Sequence, residues 1–229
     1  MVLDGKFLPW VLTATHLGHE LHQAANMNHD VKVKRARFIG ESTEIRECFS
    51  FADPLLILRA VKLYCGHYYG AMLWDFRSEM VGQFCRSWNT CVKLAYDIPR
   101  STHTYLVEHC LAAEFTPVKT EMMARYVKFH RSLENSNSFE VRALVNVVSK
   151  DVTSTTARNL TLIEKECGQS IRNLTPKLVR ELVKIQDVPI NQDWRFSLLK
   201  TLLSERKVVA SQLCSTDMLD LVINSLCSS

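Results

Sequence analysis

The chain is predicted to be mainly α: a small N-terminal β-hairpin, then a multi-helix bundle, then a helical C-terminal extension. Three observations predict this. Only seven glycines and six prolines occur in 229 residues, and the apolar residues recur mostly at three and four rather than at two, the period of a helix with one buried stripe. An Asp4-Gly5 pair sits between short apolar runs at the start, the sequence signal of a tight hairpin turn. With 47% hydrophobic and 23% charged residues, the chain can bury a sizeable core and does not read as disordered.

After Asp4-Gly5, Pro9 limits how a second strand can pair. The segment Thr15 to His22 alternates, with Leu17, His19 and Leu21 on one face and His16, Gly18, Glu20 and His22 on the other, so a β-element ending near Gln23 is expected. A helix follows between Asp30 and Phe49 on the stripe Val31, Phe38, Ile45 and Phe49. Its first half carries Lys32, Lys34, Arg35 and Arg37, spread around the axis. Such a run is either a solvated face or a surface that tracks phosphates.

Asp53-Pro54 marks a helix start, with Asp as N-cap and Pro at the first position. The helix is expected to run to about Trp74, because Val61, Tyr64, Tyr68 and Met72 keep helical spacing across Gly66 and Gly70. Each glycine costs about 1 kcal/mol against alanine in a helix interior. Their expected use is close helix packing, with approach to a bound substrate as the alternative. Met80, Phe84, Trp88, Cys91, Val92 and Ala95 mark the next helix, ended by Ile98-Pro99-Arg100. Ser101 or Thr102 can cap a short helix through Leu111, and Thr116-Pro117 opens another through Leu133.

The polar run Glu134 to Ser138 is the expected linker. It divides a hairpin (1–27) and a helical domain (28–133) from a helical extension (139–229). In that extension, helices are expected around Val141–Val148, Leu160–Cys167, after Thr175-Pro176, over Asp193–Arg206, and after Ser215 or Thr216.

Candidate chemistry is sparse. His16, His19 and His22 could chelate a metal on a helix, but on a strand His19 faces away from the other two, so ordinary, partly exposed histidines are expected. Eight scattered cysteines without a Cys-x-x-Cys pair read as small buried side chains. Cys85 and Cys91 point about 120° apart on a helix and do not form a zinc site with His103 and Cys110. No nucleophile elbow, phosphate-binding glycine loop or His-Glu-x-x-His is present. No adjacent Asp-Asp pair offers carboxylates to two metal ions, and Asp217 with Asp220 reads as a solvated face. No cofactor, metal or polymerase activity is therefore expected. The net charge of +4 is too mild to demand a polyanionic partner. With no apolar run near 18 residues and no signal-peptide pattern, the chain is expected to be intracellular, nuclear or cytoplasmic, without membrane contact.

Taken in order, Thr15-His16-Leu17-Gly18-His19, the basic helix, Tyr68-Tyr69-Gly70-Ala71-Met72-Leu73-Trp74, and Trp88 to Ala95 leading into Ile98-Pro99-Arg100-Ser101 resemble the end of the palm and the thumb of reverse transcriptases from non-LTR (LINE-type) retrotransposons. The resemblance covers about Leu3 to Leu111. His16 stands where the family commonly has an aromatic residue, and the family's downstream zinc knuckle has no counterpart. The resemblance implies that Leu17 and Gly18 belong to a primer-grip hairpin and that Lys32, Lys34, Arg35 and Arg37 contact the template-primer backbone, RNA or DNA, weakly and without reading sequence. It also implies that the fingers and catalytic palm of this RNA-directed DNA polymerase family would precede Met1. Exposed apolar side chains at Leu3, Phe7, Leu8, Trp10 and Val11, and with them self-association, are then expected. The rival expectation is a helical protein-interaction module without nucleic-acid binding.

Overall fold

The computed structural model describes residues 2–3, 6–7, 12–16, 19–22, 27–66, 70–111, 116–183 and 201. Among these the chain is mainly helical, with two small antiparallel hairpins at its start. β1 (Val2–Leu3) pairs with β2 (Lys6–Phe7), Val2 opposite Phe7 and Leu3 opposite Lys6; Asp4 and Gly5 lie outside the described residues. β3 (Thr13–His16) pairs with β4 (His19–His22) in the register His16 to His19 and Thr13 to His22. The single alternating element expected over 15–22 is thus two strands, and His16 stands opposite His19 across the ladder.

Helix α1 (Asn28–Cys48) buries Val31 and Phe38, with Ile45 packed against the core and Phe49 buried just past its end, as the stripe requires. Helix α2 (Pro54–Tyr64) starts where Asp53 accepts the Leu55 N–H at 2.6 Å and Pro54 occupies the first position. It does not reach Trp74. Cys65 caps it, Gly70 turns left-handed at φ +82°, and a short 3-10 turn follows over Ala71–Leu73. Gly66 stands at the break, where a Cβ would collide with the Lys62 carbonyl, and the left-handed Gly70 leads into the 3-10 turn, while the apolar spacing continues across the break and hides it.

Helices α3 (Glu79–Ala95) and α4 (Thr104–Cys110) follow, the former capped by Ser78. Helix α5 (Val118–Glu134) takes Pro117 itself as N-cap, so Thr116 does not serve as the expected side-chain cap. The remaining three helices are α6 (Phe139–Lys150), α7 (Thr155–Cys167) and α8 (Pro176–Leu182). Ser138, Ser154 and Thr175 cap them through side-chain oxygens, and a left-handed Gly168 ends α7. The expected helices over 193–206 and after 215 lie outside the described residues.

One core runs through these helices. Phe38 packs on Phe84 and Trp88 with ring centres 5.6 and 5.3 Å apart, and Trp74 meets Phe84 edge-on at 5.4 Å. Met122, Met123, Val127, Ile163, Leu174 and Val179 extend the same cluster. Side chains from both sides of the 134–138 connection therefore share one interior. Arg180 on α8 grips Glu121 on α5 through two hydrogen bonds, at 2.8 and 3.0 Å, across that connection. No described helix is long and apolar enough to cross a membrane.

Candidate nucleic-acid interface

Asp30, in the first turn of α1, is the centre of the region where hairpin and basic helix meet. An anion is favoured at a helix N-terminus, yet this carboxylate is fully buried and needs partners of its own. It has them. Its Oδ2 accepts the Trp74 indole N–H at 2.8 Å and the Lys34 ammonium at 3.1 Å, and its Oδ1 accepts the Glu20 backbone N–H at 3.0 Å. Burial alone would raise its pKa, but the bonds from Trp74, Glu20 and Lys34 together outweigh burial and hold it below the ordinary value.

His19 completes the cluster. Its Nδ1 lies 3.4 Å from Asp30 Oδ2 and 3.2 Å from Lys34 Nζ. Lys34 also stands 5.8 Å from the centre of the Trp74 ring, within cation–π range. Thus β4, α1 and the turn ending at Trp74 are clasped together by one carboxylate.

The ring of His19 reaches this position because Gly70 has no side chain. A Cβ built on Gly70 would fall 1.5 Å from His19 Cε1, and the backbone there already has a positive φ. The close approach at this glycine is made by an imidazole of the chain itself, not by a packed helix or a bound substrate, the two uses expected of it. His19, expected to be partly exposed, is 8% exposed. Gly70→Ala is expected to destabilise the fold by at least about 2 kcal/mol, combining left-handed strain with eviction of His19. A urea midpoint within error of the parent would contradict that steric account.

Four cations were expected to face a nucleic-acid backbone, and the structure separates them. Lys34 is committed to the clasp, its side chain only 17% exposed; this corrects its expected place on the open surface. The reason is its spacing of four residues from Asp30, which puts both on one flank of α1. Arg35 is half-buried and donates to Ser87 Oγ on α3 at 2.7 Å. Lys32 and Arg37 are exposed, and Arg37 pairs with Glu41 one turn on. Lys32 and Arg35 lie one turn apart on one flank, while Arg37 is displaced around the helix. Leu17, Gly18, Leu8, Trp10 and Val11 lie outside the described residues, as do the side chains of Leu3 and Phe7.

The sequence did not single out Asp30 and Trp74 as partners in this clasp. Asp30-x-x-x-Lys34 was the available signal. Burial pushes the thiol of Cys65 up to about 12 and that of Cys85 up to about 11, so both are protonated at neutral pH. Among the described residues no three His, Cys, Asp or Glu side chains converge to hold a metal ion. Comparison with protein-family models, with curated proteins and with solved structures finds no match.

Proposed function

We propose that this chain is the carboxy-terminal, thumb-side part of a non-LTR retrotransposon reverse transcriptase, which holds the template-primer backbone for polymerase carboxylates it does not itself contain. The observation that carries this reading is the Asp30 clasp: the strand pair 13–22 and the basic helix α1, which the resemblance names as primer grip and thumb, are held to each other by side-chain bonds. A hairpin locked to a cationic helix is a suitable rest for a duplex, because phosphate contacts require fixed spacing and no base recognition. Lys32, Arg35 and Arg37 are the cations assigned to this contact, and Lys34 sets the geometry from beneath.

Binding of an RNA–DNA duplex, followed by fluorescence anisotropy, tests the proposal. Three phosphate contacts predict a slope of log K against log salt near −2.7, whereas four contacts including Lys34 would give about −3.6. Lys32→Glu with Arg35→Glu and Arg37→Glu should abolish binding while leaving the fold intact. Affinity unaffected by salt, or by that triple change, would exclude the duplex-holding role.

A second reading, a helical protein-interaction module, is favoured by the outer face of α6. Phe139, Leu144 and Val147 there are 70%, 63% and 63% exposed. On that reading duplex binding is absent, and Leu144→Glu with Val147→Glu removes concentration-dependent self-association in sedimentation velocity.

A further inference from the structure

An open cavity of about 420 Å³ lies between α5, α6 and α7, formed by no residue of the hairpins or α1. His130 is buried in its wall, 3% exposed. Its Nε2 is 3.0 Å from Ser149 Oγ, and its Nδ1 is 3.5 Å from Glu134 Oε2. His130 and Glu134 are one turn apart on α5, while Ser149 comes from the last turn of α6.

The chemistry of the three groups orders them. An ionised carboxylate can only accept, so the ring proton belongs on Nδ1, facing Glu134, and the bare Nε2 is left to accept the Ser149 hydroxyl. Burial, outweighing the attraction of Glu134, keeps the His130 pKa below its ordinary value, so the ring is neutral near pH 7 and available as a base. At 3.5 Å the carboxylate contact is an ion-pair distance without hydrogen-bond alignment. Glu134 is half-exposed and can close on the ring as positive charge develops there, a tightening common once a substrate is bound. A hydroxyl against an imidazole, itself against a carboxylate, is the arrangement of nucleophile, base and orienting group.

The rest of the lining selects the substrate. Arg142 and Lys150 of α6 and Arg172 of the turn after α7 outnumber the carboxylates Glu134 and Glu164 along the cavity. The carboxylate of Glu164 is engaged by the Ser170 hydroxyl at 3.2 Å and the Ile171 N–H at 2.8 Å. We propose that Ser149 is a nucleophile, activated by His130 and with Glu134 as a positioning residue, that accepts the acyl group of a small carboxylic ester bearing a negative charge. Ser149 Oγ bonds to the ester carbonyl carbon as its proton passes to Nε2. The carbon–oxygen bond to the leaving group then breaks, and that oxygen takes the proton from Nε2. Water attacking the acyl-serine by the same proton route releases the acid and restores the hydroxyl. A positioned general base contributes about 10²–10⁴-fold, so acylation rather than fast turnover is the natural readout.

The full chain is treated with mono-p-nitrophenyl terephthalate, and with p-nitrophenyl benzoate as the uncharged counterpart. Nitrophenolate release is followed by absorbance and the adduct is located by peptide mass mapping. The expected result is one 4-carboxybenzoyl group on Ser149, added faster from the charged ester. Labelling should fall at least about a hundredfold in Ser149→Ala and His130→Gln and return on sulfur in Ser149→Cys. The rate should fall as pH drops through the His130 pKa. Glu134→Gln removes the charge that raises that pKa, so it should move the midpoint lower, with Arg142, Lys150, Glu164 and Arg172 unchanged around the ring. Absence of an adduct, modification of Lys150 or another residue instead, or labelling unchanged in Ser149→Ala would overturn the proposal. So would a pH midpoint indifferent to Glu134→Gln.

Discussion

Asp30→Ala is expected to lower the free energy of unfolding by about 3–5 kcal/mol, the range for removing one member of a buried ion pair. The loss follows from what the change leaves behind: a Lys34 ammonium, 17% exposed, that loses its carboxylate, and a Trp74 indole N–H and a Glu20 amide that lose the acceptor they share. Desolvated donors that lose a partner are costlier than absent ones. Lys34→Met in the Asp30→Ala background should therefore restore part of the loss, with a coupling on the order of 1–3 kcal/mol in a double-mutant cycle. The pH dependence has a defined sign. The folded pKa of Asp30 lies below its unfolded value. Its stabilising contribution is thus complete above the unfolded carboxylate value of roughly 3.9 and is lost as pH falls through the folded one. Urea midpoints measured from neutral pH downward should show that acid-sensitive component in the parent and not in Asp30→Ala. A loss below about 1 kcal/mol, the size of a surface ion pair, would mean that the clasp does not hold the hairpin.

What could be read from the sequence is what is decided within a few residues. The α1 stripe, the Asp53-Pro54 start, the Asp4-Gly5 hairpin and the end of α7 at Gly168 all depend on local preference. The break between Tyr64 and Trp74 escaped because Val61, Tyr64, Tyr68 and Met72 keep helical spacing whether or not the backbone is helical. Spacing reports which side chains are apolar, and left-handed geometry at Gly70 is a separate fact. The role of Lys34 was hidden for another reason. A cation in a basic run looks like its neighbours until the depth of its partner is known, and Asp30 becomes buried only when β4 and Trp74 are brought over it. His130 and Ser149 gave no warning, since their juxtaposition depends on how α5 and α6 cross.

Asn159 has the longest reach of these unannounced residues. It is fully buried in α7, and its side chain bridges two backbone groups far earlier in the chain: Nδ2 donates to the Trp74 carbonyl at 2.7 Å, and Oδ1 accepts the Phe76 N–H at 2.9 Å. The Phe76 ring in turn meets that of Tyr126 edge-on at 5.4 Å. Asn159→Ala strands two buried backbone groups at about 1–3 kcal/mol each, so a total loss of roughly 2–6 kcal/mol is expected. Asn159→Asp should not rescue it, because a carboxylate keeps the acceptor for Phe76 and turns an oxygen toward the Trp74 carbonyl. Asp30 and Asn159 hold the same residue from two ends, one by the Trp74 indole and the other by its carbonyl. Once either is removed, Trp74 is already loosened, and the second removal has less to undo. Asn159→Ala combined with Asp30→Ala should therefore cost less than the sum of the single changes by more than the ~0.5 kcal/mol scatter of independent sites. Strict additivity in the urea midpoints would show that Trp74 does not link α7 to the clasp at the start of α1.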